Sequence, residues 1–170
     1  MALIALLVLV TALVYAQVYR HDFIELDDGI YVTENPRIQA GLTADNLVWT
    51  FSEAHGANWH PLTTLSHMLD CELFGLDPLA PHLLNVLLHL ISTVLLYVVL
   101  RQSTGEHWPS AFVAALFALH PLHVESVAWI SERKDMLSGL FWMLTMVCYV
   151  RYTRQRRTMW YVLTVLALTL

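Results

Sequence analysis

Apolar and polar positions fall along this chain in long blocks instead of alternating residue by residue. Ala2 to Val18 is almost wholly apolar and reaches the lower limit of about 17 residues for a bilayer-crossing helix. A polar segment, 19–81, follows. The next apolar block, 82–100, is interrupted only by Asn85, His89, Ser92 and Thr93. These groups would turn toward other helices, because lipid cannot satisfy them. Three further blocks cover 109–120, 136–150 and 159–170. The first of them is short unless Trp108 and the following residues extend it, and the last stops before the usual length of about 20 residues. Inside 19–81, Asn35-Pro36 and Gly41 mark turns, and His60–Phe74 sets Leu62, Leu65, Leu69 and Leu73 at spacings of three and four. That spacing predicts a short amphipathic helix lying on the membrane surface. The whole pattern predicts an all-α fold, a polytopic α-helical membrane protein with about five spans, the last truncated.

Composition strengthens this reading. Hydrophobic residues make up 57% of the 170 positions and charged residues 14%, where a soluble domain carries roughly 25% charge. A soluble enzyme is thereby disfavoured, and membrane lipids are the expected surroundings. The net charge of −5 and the absence of a long basic patch remove nucleic acid as a partner. Cys71 and Cys148 are too few for a disulfide framework. Val14-Tyr15-Ala16 resembles a signal-peptide cleavage site, but no Lys or Arg precedes the apolar stretch, so a first span is preferred.

Charge also orients the spans. Arg151, Arg154, Arg156 and Arg157 fall within seven residues, which the positive-inside tendency places in the cytoplasm. Counting back, the 101–109 loop is cytoplasmic, and loops 19–81 and 120–135 lie outside. Segment 19–81 holds ten acidic residues against Arg20 and Arg37. Its acidity fits the outer side.

Three constellations could carry chemistry. The first is Glu25-Leu26-Asp27-Asp28, about ten residues after the first span ends. Adjacent carboxylates near a membrane can be pushed apart in pKa, leaving one as a base or cation ligand, although a solvated acidic turn before Gly29 has the same spelling. The second is 120–135. Here His120 and His123 beside Glu125 could hold a transition metal or, when protonated, a phosphate. Arg133 and Lys134 lie on the outer side against the positive-inside tendency, so they are expected to neutralise something, with a lipid-linked phosphate as the candidate. The third is 58–70, where His60 and His67, seven apart, would share a helical face and Trp59 suits an interfacial anchor. For the last two, histidines hydrogen-bonded between helices or set in the headgroup zone are the plainer alternative. His55, His82, His89 and His107 are isolated and read as structural. No cofactor is required by the sequence, and a divalent metal stays open.

The strings Asp27-Asp28-Gly-Ile-Tyr-Val-Thr-Glu-Asn-Pro36, Asn58-Trp-His-Pro-Leu-Thr63 with Ser66-His-Met-Leu-Asp70, and Phe117-Ala-Leu-His-Pro-Leu-His-Val-Glu-Ser-Val-Ala-Trp-Ile-Ser-Glu-Arg-Lys-Asp135 resemble the transmembrane and tetratricopeptide-repeat proteins, above all their bacterial members. These are relatives of the protein O-mannosyltransferases among the GT-C membrane glycosyltransferases. The resemblance implies that 1–170 is the amino-terminal part of a catalytic membrane domain, inactive alone, with further spans and repeats beyond it. It also implies a multi-pass protein, in bacteria of the inner membrane, with its active face periplasmic or luminal. Sugar, mannose-like, would pass from a polyprenyl or dolichyl phosphate to a protein or glycan hydroxyl. Asp28, or else Asp27, would be the base or acceptor-orienting carboxylate, with Asp28 favoured because Gly29 lets the backbone turn. Arg133, Lys134, His120, His123, Glu125 and His60 would bind the lipid phosphate or sugar. The competing reading is a transporter or a non-enzymatic membrane subunit. Transporters place ionisable groups deep in their spans, and only His89 is so placed.

Overall fold

A computed structural model describes residues 1–54 and 58–170, and His55 lies outside the described residues. Among them the chain is helical throughout, without a β-strand. Helix α1 (Ala2–Val14) runs on into a tighter 3₁₀ segment, Tyr15–Arg20, and together they give 19 apolar-rich residues. Helix α5 (Leu79–Thr104) is the other helix long and apolar enough to cross a membrane, with 26 residues. Helices α6 (His107–Leu119) and α9 (Thr158–Thr169) are apolar but shorter. Helix α8 (Arg133–Gln155) has 23 residues, about 34 Å at 1.5 Å per residue. It starts three residues before the expected block and ends five after it.

Helix α5 forms the centre of the bundle. It packs on α1, α6 and α8, while α9 packs on α8. One apolar cluster joins Tyr15, Val18, Val86, Leu88, Val127 and Met136, and another joins Leu7, Tyr97, Ala111 and Ala114. Asn85, His89, Ser92 and Thr93 are all buried, as expected of polar groups that lipid would leave unpaired. Helix α9 buries no residue of its own, so its apolar surface faces outward.

The 19–81 segment folds into a small helical cap. Asn35 accepts from the Arg37 and Ile38 amides, and Pro36 starts the short α2 (Pro36–Gln39). The Thr43 hydroxyl caps α3 (Ala44–Ser52) by accepting from the Asn46 amide. Gly41, at φ +73°, turns the chain against α4 (Pro61–Phe74), where the Glu72 carboxylate accepts from the Leu42 amide at 2.9 Å. Val32, Ile38, Trp49, Met68, Cys71 and Ile130 form the core of this cap.

Helix α4 exists where its leucine spacing predicts it, but its leucines do not share one environment: Leu65 packs against the cap core, and Leu62 is partly buried. The buried side carries Thr63, His67, Met68, Asp70 and Cys71, while Leu69 and Leu73 are exposed. The buried side is mixed, so Met68 and Cys71 pack in the apolar core while His67 and Asp70 are buried beside them.

Candidate functional site

The 120–135 segment is not a plain loop. After α6, the short α7 (His123–Ala128) and a 3₁₀ turn, Ile130–Glu132, lead into α8. This places Ser131, Arg133, Lys134 and Asp135 within one turn of the α8 start, facing three different directions.

Arg133 is fully buried. Its Nη2 donates to Asp70 Oδ2 at 2.9 Å and to the Pro81 carbonyl at 3.0 Å, and its Nη1 donates to the Ser66 hydroxyl at 3.2 Å. Its Nε donates to Asn85 Oδ1, and Asn85 in turn donates to the Trp129 carbonyl. Four of the five guanidinium N–H groups are thus used inside the protein. Arg133 does neutralise something, and the partner is the internal carboxylate of Asp70. Burial pushes the Asp70 carboxyl up from its ordinary range, with the charge and hydrogen bond of Arg133 opposing. His67 lies within the same packing with both ring nitrogens lacking a partner among the described residues. Burial, and then the nearby Arg133 charge, hold its pKa well below the ordinary imidazole value.

The two aspartates of the 19–81 segment also part ways. Asp28 is fully buried. Its Oδ2 accepts from the Ile24 amide at 2.9 Å, and its Oδ1 accepts from the Ser131 amide at 3.0 Å and from the Ser131 hydroxyl. Asp28 therefore fastens the first loop to the start of α8, a chain separation of 103 residues. Asp27 is half-buried, and its carboxylate has no hydrogen-bond or ionic partner among the described residues. Gly29 sits in a single wide turn, Gly29–Thr33, without positive φ, and a Cβ there would meet Glu34 only at ordinary contact distance. Its backbone freedom, the sequence reason for preferring Asp28, is not used.

Lys134 points away from Arg133. Its Nζ donates to Glu132 Oε1 at 2.8 Å, leaving two N–H donors over. Partial burial works against the ammonium, but the hydrogen bond and charge of Glu132, with Asp135 and Tyr31 adding, lift its pKa above the ordinary lysine value. It lines a cleft of about 320 Å³ with His60, Phe51, Trp59, Leu62 and Leu137. A recess of about 10 Å³ adjoins it, lined by Tyr31, Asn58, His60, His67, Ser131 and Lys134. His60 caps the α4 end and His67 lies inside the helix, so they meet at this recess, one exposed and one buried.

On the other side of α8, a cleft of about 400 Å³ is lined by His89, Ser92, His123, Ser126, Asp135 and Ser138. Ser138 belongs to both clefts. Ser126 donates to Asp135 Oδ2 at 3.1 Å, and the buried Ser92 hydroxyl has no partner among the described residues. His123 lies tilted against Phe117 and His89, and His120 packs edge-on against it through a turn, not along one helix. Burial, then repulsion from His120, lower the His123 pKa from the ordinary imidazole value. Glu125 is exposed in the first turn of α7 and lines neither cleft. Among the described residues no group of three or more His, Cys, Asp or Glu side chains forms a metal site. Asp70 and Ser131 both fall inside the strings that carry the family resemblance, but nothing in their spacing indicates that they hold Arg133 and Asp28.

Residues 61–170 match the family described as dolichyl-phosphate-mannose-protein mannosyltransferase. Similar curated proteins include the protein O-mannosyl-transferase tmtc2 of Xenopus laevis, 39% identical over 107 residues, which are 63% of this chain and 13% of that protein. The protein O-mannosyl-transferase TMTC1 of Mus musculus is 33% identical over 156 residues, 86% of this chain and 16% of its own length. The chain thus spans 13–16% of the length of these relatives. No solved structure matches it.

Proposed function

Because the chain belongs to the dolichyl-phosphate-mannose-protein mannosyltransferase family, we propose that it forms the amino-terminal part of a membrane glycosyltransferase. The enzyme moves a mannose-like sugar from a polyprenyl or dolichyl phosphate to a protein or glycan hydroxyl on the outer or luminal face. Both relatives are named as transferases, which favours this reading over a transporter or a non-enzymatic subunit. The observation that carries it is the Asp28–Ser131 latch. It fastens the segment that carries Asp27 and Asp28 to the turn of chain that carries Lys134, and Tyr31 of the same segment lines the recess beside Lys134.

In this reading Lys134 and His60 receive the carrier phosphate, and the aromatic and leucine wall of the 320 Å³ cleft receives the first part of its apolar tail. Asp27 takes the proton of the acceptor hydroxyl. The freed oxygen attacks the anomeric carbon, the bond from that carbon to the phosphate oxygen breaks, and the phosphate leaves with the electron pair. The sugar is inverted in the process. Lys134 stabilises the charge that builds on the departing phosphate. Arg133 and Asp28 act only by holding Lys134 and Asp27 in place. The hydroxyl-rich cleft on the far side of α8 suits the neutral sugar or the acceptor, since Asp135, Ser126 and Ser138 offer hydrogen bonds and no cation.

Transfer from a polyprenyl-phosphate mannose by the full-length protein tests this. Lys134→Gln should raise KM for the carrier-linked sugar about tenfold or more, as expected for losing a hydrogen bond to a charged group. An unchanged KM would remove the carrier from this cleft.

A further inference from the structure

The nine Lys and Arg residues divide sharply by what they touch. Arg20 stacks on Tyr19, Arg37 on Trp49 and Arg151 on Trp160, while Arg133 and Lys134 are in ion pairs. Arg101, Arg154, Arg156 and Arg157 have no hydrogen-bonding side-chain partner or ion pair among the described residues, and all four sit at the bundle end away from the outer cap. Two of them converge. Arg101, in the last turn of α5, and Arg154, in the last turn of α8, line one cleft of about 340 Å³ with Gln102 and His107. Gly105, at φ +81°, ends α5 there with open space around it, so backbone leaves the cleft mouth clear. The start of α6 at His107 adds the positive end of a helix dipole. Glu106, the neighbouring acid, does not line the cleft. Each arginine alone would be an ordinary last-turn base that favours its helix dipole. Two of them from separate helices, meeting over a polar cleft, form a positive charge pair with no carboxylate among the described lining residues.

We propose that this cleft binds a phosphate group at the end of the bundle opposite the outer cap, with the headgroup of an anionic phospholipid as its source in the membrane. Arg101 and Arg154 would straddle the phosphate oxygens with forked N–H donors, while His107, already hydrogen-bonded near the Tyr97 hydroxyl at 3.3 Å, would border it. Basic clefts between spanning helices recognise such headgroups in general. The site is separate from the Lys134 cleft, so it stands or falls independently of the transferase reading.

The protein in nanodiscs of phosphatidylcholine, with and without phosphatidylglycerol, provides the test, with retained lipid counted by native mass spectrometry and Tm followed in parallel. Phosphatidylglycerol should be retained and should raise Tm. Arg101→Gln with Arg154→Gln should weaken that retention, roughly fivefold per arginine, and leave Tm in pure phosphatidylcholine unchanged. Arg156→Gln with Arg157→Gln, outside the cleft, should weaken it less. In detergent, inorganic phosphate serves as the second probe. A Tm rise with phosphate alone that the Arg101/Arg154 double variant abolishes, without lipid retention, would assign the same cleft to free phosphate. Equal loss from both double variants, or no response to either phosphatidylglycerol or phosphate, would overturn the proposal.

Discussion

Two dipeptides, Asp27-Asp28 and Arg133-Lys134, read in sequence as two like-charged pairs, and in the structure each pair divides in the same way. Asp28 and Arg133 are fully buried, with their polar atoms met by Ser131, Ile24, Asp70, Asn85 and Ser66. Asp27 and Lys134 are each only partly buried, Asp27 with no hydrogen-bonding partner among the described residues and Lys134 with two donors to spare beside a cleft. One member of each pair is buried with its polar atoms partnered, and its neighbour is more accessible; under the proposed function the first holds the site and the second does the chemistry.

The clearest way to break this comparison is at the buried base. Arg133→Gln leaves Asp70 charged and without its partner, and loss of one member of a buried pair costs about 3–5 kcal/mol. Thermal unfolding in nanodiscs should show a larger fall in Tm than for any substitution at Asp27, Asp28 or Lys134. Loss of transfer without loss of Tm would give Arg133 a direct part in binding instead. At the buried acid, Asp28→Asn turns an amide toward the Ile24 N–H or weakens the Ser131 bonds, at about 1.5–3 kcal/mol for hydrogen bonds to a charged group. Its Tm should fall clearly. The open base should behave differently: Lys134→Gln should leave Tm nearly unchanged, since a partly exposed pair contributes about 0–1 kcal/mol, while KM rises.

The smallest effect concerns pH. His67 is held neutral by burial and by Arg133, so its folded pKa lies below its unfolded one. As pH falls through about 6.5, the unfolded chain takes up a proton that the folded chain refuses, and stability declines. Tm should therefore drop on acidification below that point, and His67→Gln should flatten this part of the profile. A slope that His67→Gln leaves intact would place the titrating group elsewhere.

The helices were legible where apolar blocks are long, because burial in lipid needs no partner to be specified. Ala2–Arg20 and Leu79–Thr104 follow directly from that rule, and the polar positions of α5 turn inward as it requires. Helix α4 was legible as a helix, but leucine spacing alone does not say which leucine packs on the cap, as Leu65 does, and which stays exposed, as Leu69 and Leu73 do. The pairs that hold the site were not legible. Asp70 and Arg133 are 63 residues apart, and Asp28 and Ser131 are 103 apart, contacts that depend on how the cap docks. For the same reason the sequence shows Asp27 and Asp28 as two identical carboxylates, and only their surroundings distinguish them.

The most direct test of this division compares Asp27→Asn with Asp28→Asn in the full-length protein, with transfer rate and Tm measured on the same preparations and Asp45→Asn as the control for lost negative charge. The account predicts that Asp27→Asn lowers turnover by about 10²–10⁴ with little change in Tm, as for removal of a general base. It predicts that Asp28→Asn lowers Tm and that Asp45→Asn changes neither. Near wild-type transfer by Asp27→Asn, together with a loss of turnover in Asp28→Asn at unchanged Tm, would contradict it.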